Sequence, residues 1–323
     1  MENISISNLT SIFEASDGSQ GHCLNFTKED NHIARNINIS SAVICSLEFL
    51  VGTTTSGYVI WMKVYRLEKT FRSVLSHSLF ISGFIWSIFL LLNIVYFACN
   101  INWIFGSFMC QLHNFMFHLN MFINAFTLTL YSVDYCFVVM WPLKYNVYRR
   151  PHLASVEVIV CWIIAVCVSV PYFFFKITYE CYSTIKCFNR FDDTEITNIW
   201  KHINKVISII TFILGYCIPI LIILLCFVIT AKVYHQKKTS KYTPALKMIF
   251  TFQTLFGVCW LPYHMLSLIK LSLSTSGEKN LVGVVEMVHP ITISLASLGG
   301  SVNPILYAFI SPDFKKQLPK YRK

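Results

Sequence analysis

The chain has 323 residues, 55% of them hydrophobic and only 13% charged; soluble domains carry about 25% charged residues. That balance excludes an ordinary water-soluble globule and points to a chain that crosses a membrane several times. The net charge of +10 would suit nucleic acid, but the charges sort by side of a bilayer, so no nucleic-acid partner is expected.

Residues 1–39 are polar and carry four glycosylation sequons, at Asn3, Asn8, Asn25 and Asn38. Four sequons in one short leader predict a lumenal or extracellular N-terminus. Asn3, Asn8 and Asn25 are the candidate acceptors, because Asn38 stands too near the first apolar span. No basic n-region with a short apolar stretch opens the chain, so no cleaved signal peptide is expected. Apolar spans follow at Ser40–Val64, Phe71–Cys99, Cys110–Met140, Pro151–Phe175, Trp200–Val233, Ala245–Leu273 and Leu281–Ile310. Each is long enough for a helix across about 30 Å of hydrocarbon.

With the N-terminus outside, the first, third and fifth connections and the tail face the cytoplasm. They hold 17 of the 26 Lys and Arg, while most acids fall on the other side. The positive-inside bias and the sequons therefore agree. The expected fold is an all-α membrane protein, a seven-transmembrane helix bundle over residues 40–311 with the lipid bilayer as its solvent. Residues 312–323 form a short amphipathic helix and tail, with Phe314 and Leu318 four apart and facing lipid.

The third span organises the rest. It carries Asn114, His118, Asn120 and Asn124 among Phe, Leu and Met, and ends in Asp134-Tyr135-Cys136. Unpartnered polar groups are costly in hydrocarbon, so this helix belongs at the centre with its polar side against other helices. Glu48 stands deep in the first span, where a charge is expensive, and the sequence offers no functional account of it. No grouping has the spacing of a metal centre, and His113, His118 and His289 stand apart along the chain. No nucleophile–base arrangement and no inverted pair of interrupted helices indicates an enzyme or transporter. The stretch Ile291–Ser301 has no lysine for a retinal Schiff base. No metal and no cofactor is expected.

The motifs narrow the class. Span six carries Cys259-Trp260-Leu261-Pro262, span seven Asn303-Pro304-Ile305-Leu306-Tyr307, span five Tyr216-Cys217-Ile218-Pro219 and span four Trp162; Trp103-Ile104-Phe105-Gly106 precedes Cys110. Together they resemble a rhodopsin-like G-protein-coupled receptor along nearly the whole chain. Asn102–Gly106, Arg149–Ala154, Ser169–Tyr172, Val258–His264 and Asn303–Phe309 are similar to the chemoattractant branch. That branch includes the formyl-peptide, chemerin and complement-anaphylatoxin receptors and an orphan relative.

The resemblance implies a plasma-membrane receptor for an extracellular peptide or lipid, with a heterotrimeric G protein as inner partner. It implies a Cys110–Cys187 disulfide, with Cys181 as the rival partner and Cys23–Cys181 as a second bridge. It implies a pocket open to the outside, for which His118, Tyr263, His264, Ser267, Lys270, Glu286, His289 and Arg190 are candidates by position, with Lys201 and Lys205 at the rim. It also implies an activation switch built from Trp260, Pro262, Asn303, Pro304, Tyr307, Asp134 and Tyr135. The bland role of Trp260 is an aromatic core residue beside a kink. The bland role of Asn303 is repair of the carbonyl freed by Pro304.

The departures are specific. The arginine that follows the span-three acid in the family is Tyr135 here, the span-two aspartate falls on Gly83, and the span-one asparagine falls on Ser56. Without that aspartate the family's sodium site is not expected. Asp134 is expected to pair with Arg149 or Arg150. Weak or absent G-protein coupling follows, because a tyrosine lacks the guanidinium fork. The alternative is a non-signalling decoy, scavenging or regulatory receptor-like protein. Formyl-peptide recognition is not expected, since Ile207 and Thr211 stand where some relatives place cationic residues.

Overall fold

The computed structural model describes residues 28–66, 69–143, 145, 149–181, 184–189, 198–237, 243–276, 279–311 and 314. Seven helices are long and apolar enough to cross a membrane. They are α1 (Lys28–Tyr65), α2 (Phe71–Ala98), α3 (Gly106–Met140), α4 (Pro151–Phe174), α5, α6 (Thr243–Ser276) and α7 (Lys279–Ile310). The fifth runs as Asn198–Phe212, a π-helical turn Ile213–Cys217, and Ile218–Lys237. The turn lies just before Pro219, whose missing N–H removes one α-helical bond; a π turn is a common way to absorb that loss.

The first helix begins earlier than the apolar pattern predicts. At 38 residues it is about 57 Å long, so its first turns, residues 28–39, stand beyond the hydrocarbon. Asn38 is not an exposed acceptor. It is buried, and its Nδ2 donates to Asn100 Oδ1 at 3.1 Å, joining the outer ends of α1 and α2. The sequons at Asn3, Asn8 and Asn25, together with Cys23, lie outside the described residues, as does most of the amphipathic C-terminal stretch; Phe314, expected to face lipid, is instead buried between Tyr58 and Tyr307.

The third helix sits at the centre, as its polar residues require. In its most apolar stretch 72% of residues are buried, against 17–50% in the other six helices. Its polar groups bond inward. Asn114 Nδ2 donates to Tyr172 O on α4 at 2.6 Å, and Asn124 Nδ2 donates to Asn120 Oδ1 at 3.0 Å. Gln253 on α6 donates to Ser132 on α3. Around this axis, Trp162 Nε1 on α4 donates to Ser78 Oγ on α2 at 2.9 Å, and Tyr216 OH on α5 donates to Gly257 O on α6 at 2.9 Å. Such bonds between helices, which lipid cannot replace, set the neighbours.

A two-stranded antiparallel hairpin, β1 (Lys176–Cys181) and β2 (Thr184–Asn189), follows α4. It caps the outer end. Cys187, opposite Thr178 in the hairpin, is disulfide-bonded to Cys110 on α3. The far strand is clamped to the loop before α3: Trp103 N–H donates to Ile185 O at 2.6 Å, and Ile185 N–H donates to Asn102 Oδ1 at 2.9 Å.

Candidate functional site

The outer half of the bundle converges on an aromatic cluster. His118 on α3 stacks on Tyr172 from α4 with centroids 3.5 Å apart and planes at 11°. Its Nδ1 lies 2.8 Å from the carbonyl of Asn114, an acceptor only, so Nδ1 donates. Its Nε2 can then accept from Tyr263 OH on α6 at 3.2 Å. A neutral imidazole satisfies both bonds. Tyr263 also bonds to Ser267. Tyr263 meets Phe117 edge-on at 5.0 Å and Trp260 at 90°, and Trp260 packs on Phe117 at 5.3 Å.

His264 packs on Tyr216 at 5.0 Å, and His289 on Tyr263 at 6.2 Å. Lys270 and Glu286 form an ion pair at 3.4 Å across the outer ends of α6 and α7, each about a quarter exposed. All seven described candidates therefore belong to one wall spanning α3, α6 and α7. Arg190 and the side chain of Lys201 fall outside the described residues.

Three further residues shape this wall and were not singled out for it by the sequence. Tyr172 is the stacking partner of His118. His113 packs on Trp86 at 5.4 Å and Trp103 at 5.7 Å, with its Nε2 buried and without a hydrogen-bond partner among the described residues. Lys176 on β1 lies near enough for its charge to act on His113, His118 and His289. Only Tyr172 carried a signal, in its place after Pro171.

The inner half holds Asp134, Tyr135, Asn303 and Tyr307, four of the residues for which the resemblance implies a switch. Asp134 is 2% exposed and pairs with a loop residue: Arg149 Nε donates to Oδ1 at 2.7 Å and Nη2 to Oδ2 at 2.8 Å. The bidentate fork is the strong form of a charge-assisted pair. Arg72 on α2 adds a second cation, its Nε 3.6 Å from Asp134 Oδ2, and its guanidinium lies over the Tyr135 ring at 5.0 Å. Tyr145 bonds to Asp134 as well. Burial pushes its hydroxyl up to about 12, so it stays a proton donor across the physiological range.

The acid is held by an arginine from the inner loop and by a second from α2. Pairing with Arg149 rather than Arg150 resolves the two alternatives.

Lys63, counted in the sequence as an inner-face charge, is buried. Its Nζ donates to Ser73 O at 3.1 Å and to Ser76, and lies 4.3 Å from the ring centre of Tyr307. Tyr307 also meets Phe80 at 5.3 Å and Phe314 at 6.0 Å. Asn303 Oδ1 is buried with no hydrogen-bond partner among the described residues. Where the family has its span-two aspartate, α2 and α7 meet closely instead: a Cβ on Gly83 would sit 3.4 Å from Gly300 O.

The motif of the 7 transmembrane receptor (rhodopsin family) matches residues 56–307, and the chain belongs to that family. It is a multi-pass plasma-membrane G-protein-coupled receptor of the chemoattractant-like branch. It is 31% identical to human chemerin-like receptor 1 over 294 residues, 88% of this chain and 78% of the relative. It is 32% identical to mouse chemerin-like receptor 2 over 279 residues, 85% of this chain and 76% of the relative. Chemerin-like receptor 1 of Sus scrofa is 30% identical over 294 residues, with 87% and 80% covered.

Proposed function

We propose that the protein senses an extracellular peptide or lipid at the His118–Tyr263–Trp260 wall and activates a heterotrimeric G protein weakly or not at all. The observation that carries the reading is the inner end of α3. Asp134 is held by Arg149 and Arg72, and the next residue is the buried Tyr135. A tyrosine has no guanidinium to bond several acceptors on a partner. The two inner arginines are already engaged by Asp134.

The outer wall supports a ligand with both apolar and polar parts. Large rings offer area at low entropic cost, and the Lys270–Glu286 pair at the rim offers one charge of each sign. The same features serve a receptor that captures its ligand without signalling, and ligand uptake separates the two readings.

Chemerin, for which the relatives are named, is the first probe. In cells with confirmed surface expression it is expected to bind, or be displaced by peptide fragments, while second-messenger output stays near that of untransfected cells. Robust G-protein activation by chemerin or any other agonist would overturn the weak-coupling reading. Saturable ligand internalisation without such output would favour the capturing receptor.

A further inference from the structure

We infer that Lys63 is a positioning residue for coupling: its buried ammonium ties Tyr307 on α7 to the inner ends of α1 and α2 and holds that end of the bundle against an inner partner. The inference rests on the weak-coupling reading and gives it a second cause, apart from Tyr135.

Lys63 stands in the last turn of α1, where Trp61, Val64, Tyr65 and Arg66 are exposed. A lysine at a span end ordinarily carries its head out to water on its flexible stem. This one turns inward and is 4% exposed. Its Nζ donates to Ser73 O at 3.1 Å and to Ser76 Oγ, both in the first turns of α2. It lies 4.3 Å from the ring centre of Tyr307 and 5.3 Å from that of Phe80, and those two rings meet edge-on at 5.3 Å. These hydrogen bonds reach α2, and the ring contact reaches α7. A cation on an aromatic face is held more strongly where water is excluded.

The same ammonium connects to the acid at the end of α3. Ser76 Oγ, which accepts from Lys63, donates to Arg72 O at 2.9 Å, and Tyr131 OH on α3 donates to the same carbonyl at 3.3 Å. The Arg72 side chain reaches Asp134. The first turn of α2 is therefore pinned from two sides, by Lys63 with Tyr307 and by Asp134. Phe314 packs on Tyr307 and also on Tyr58 of α1. A partner that needs these inner ends parted binds only the fraction of molecules in which they have parted, and its apparent affinity falls by that fraction. Removing the charge loosens α7 and raises the fraction.

The test compares three variants of the full-length protein. Lys63→Met keeps an unbranched stem, Lys63→Gln also keeps a donor for Ser73 and Ser76, and Lys63→Arg keeps the charge. The first readout is hydrogen–deuterium exchange in lipid nanodiscs with no G protein present. In the two neutral variants the inner end of α7, residues 301–310, is expected to exchange about tenfold faster while its outer end, residues 281–290, is unchanged. Lys63→Arg should stay near wild type. The second readout is basal G-protein activation in the Tyr135→Arg background at matched surface levels, which the neutral variants should raise about threefold. A lysine that only fills space predicts the opposite sign, since its loss would destabilise the receptor and lower activation. Exchange at 301–310 that neither neutral variant alters overturns the proposal, and so does activation that they lower or leave unchanged. If Tyr135→Arg does not couple, the role given to Tyr135 fails separately and the exchange result decides Lys63 alone. If wild type couples strongly, the weak-coupling reading fails separately and the rise is read in wild type. Failure of both neutral variants to fold would make Lys63 a residue of the folded core and overturn the proposal.

Discussion

Replacement of Cys187 by alanine is expected to remove most of the protein from the cell surface. The Cys110–Cys187 bond closes a 77-residue separation and pins the hairpin to the outer end of α3. Losing a native disulfide of this kind typically costs about 2–5 kcal/mol, a large part of the margin of a folded domain. Cys181 cannot take its place. It pairs with Thr184 at the turn end of the hairpin, three positions along β1 from Thr178, which faces Cys187. Three strand residues are about 10 Å, beyond the reach of a disulfide without backbone movement. Flow cytometry of intact against permeabilised cells measures the loss. Normal surface levels for Cys187→Ala would show that the clamp at Trp103, Asn102 and Ile185 holds the hairpin by itself.

Arg149→Ala is expected to destabilise the inner end by nearly as much. It strips Asp134 of its bidentate partner while the carboxylate stays buried. Breaking a fully buried pair costs roughly 3–5 kcal/mol. Here Arg149 is 17% exposed and Arg72 remains at 3.6 Å, so about 2–3 kcal/mol is expected on the same scale. The check is a double-mutant cycle on Tm in detergent. Asp134→Asn removes the charge that needs pairing, so Arg149→Ala should cost little in that background. Additive losses would mean that Arg149 acts through its contact with Phe71, whose ring centre lies 5.3 Å from the guanidinium, and not through Asp134.

The helices were legible because membrane spans answer to one rule, an apolar run about 20 residues long. Six of the seven predicted spans match their helices to within four residues at either end. Only the outer start of α1 lies far off, because residues 28–39 are helical beyond the hydrocarbon and carry no apolar signal. The hairpin was not legible: Lys176–Cys181 and Thr184–Asn189 are short and mixed in polarity, and a cysteine tether and two hydrogen bonds to the 102–103 loop, one of them to the Asn102 side chain, stabilise them from outside. The π turn had a visible cause in Pro219 but no sequence signature of its own.

Within the site, position along a span found His118, Tyr263, His264 and His289, because each helix presents fixed faces. It did not find partners brought in from other elements. Tyr172 lies 54 residues from His118 and Arg72 lies 62 from Asp134; nothing local marks either pairing. The burial of Lys63 was not legible for a related reason. A lysine near a span end reads as an interfacial charge, and only the approach of α2 and α7 encloses it beside Tyr307.

The central claim is that the inner end of α3, with Tyr135 beside an acid held by two other arginines, limits coupling. It is tested by G-protein activation, basal and chemerin-driven, for wild type, Tyr135→Arg and Tyr135→Phe at matched surface levels. An arginine at 135 brings a guanidinium next to Asp134, where it competes with Arg149 and Arg72 and supplies the fork a partner can use. The expected result is near-baseline activation for wild type and Tyr135→Phe and a clear gain for Tyr135→Arg. Strong wild-type activation that Tyr135→Arg leaves unchanged would contradict the account.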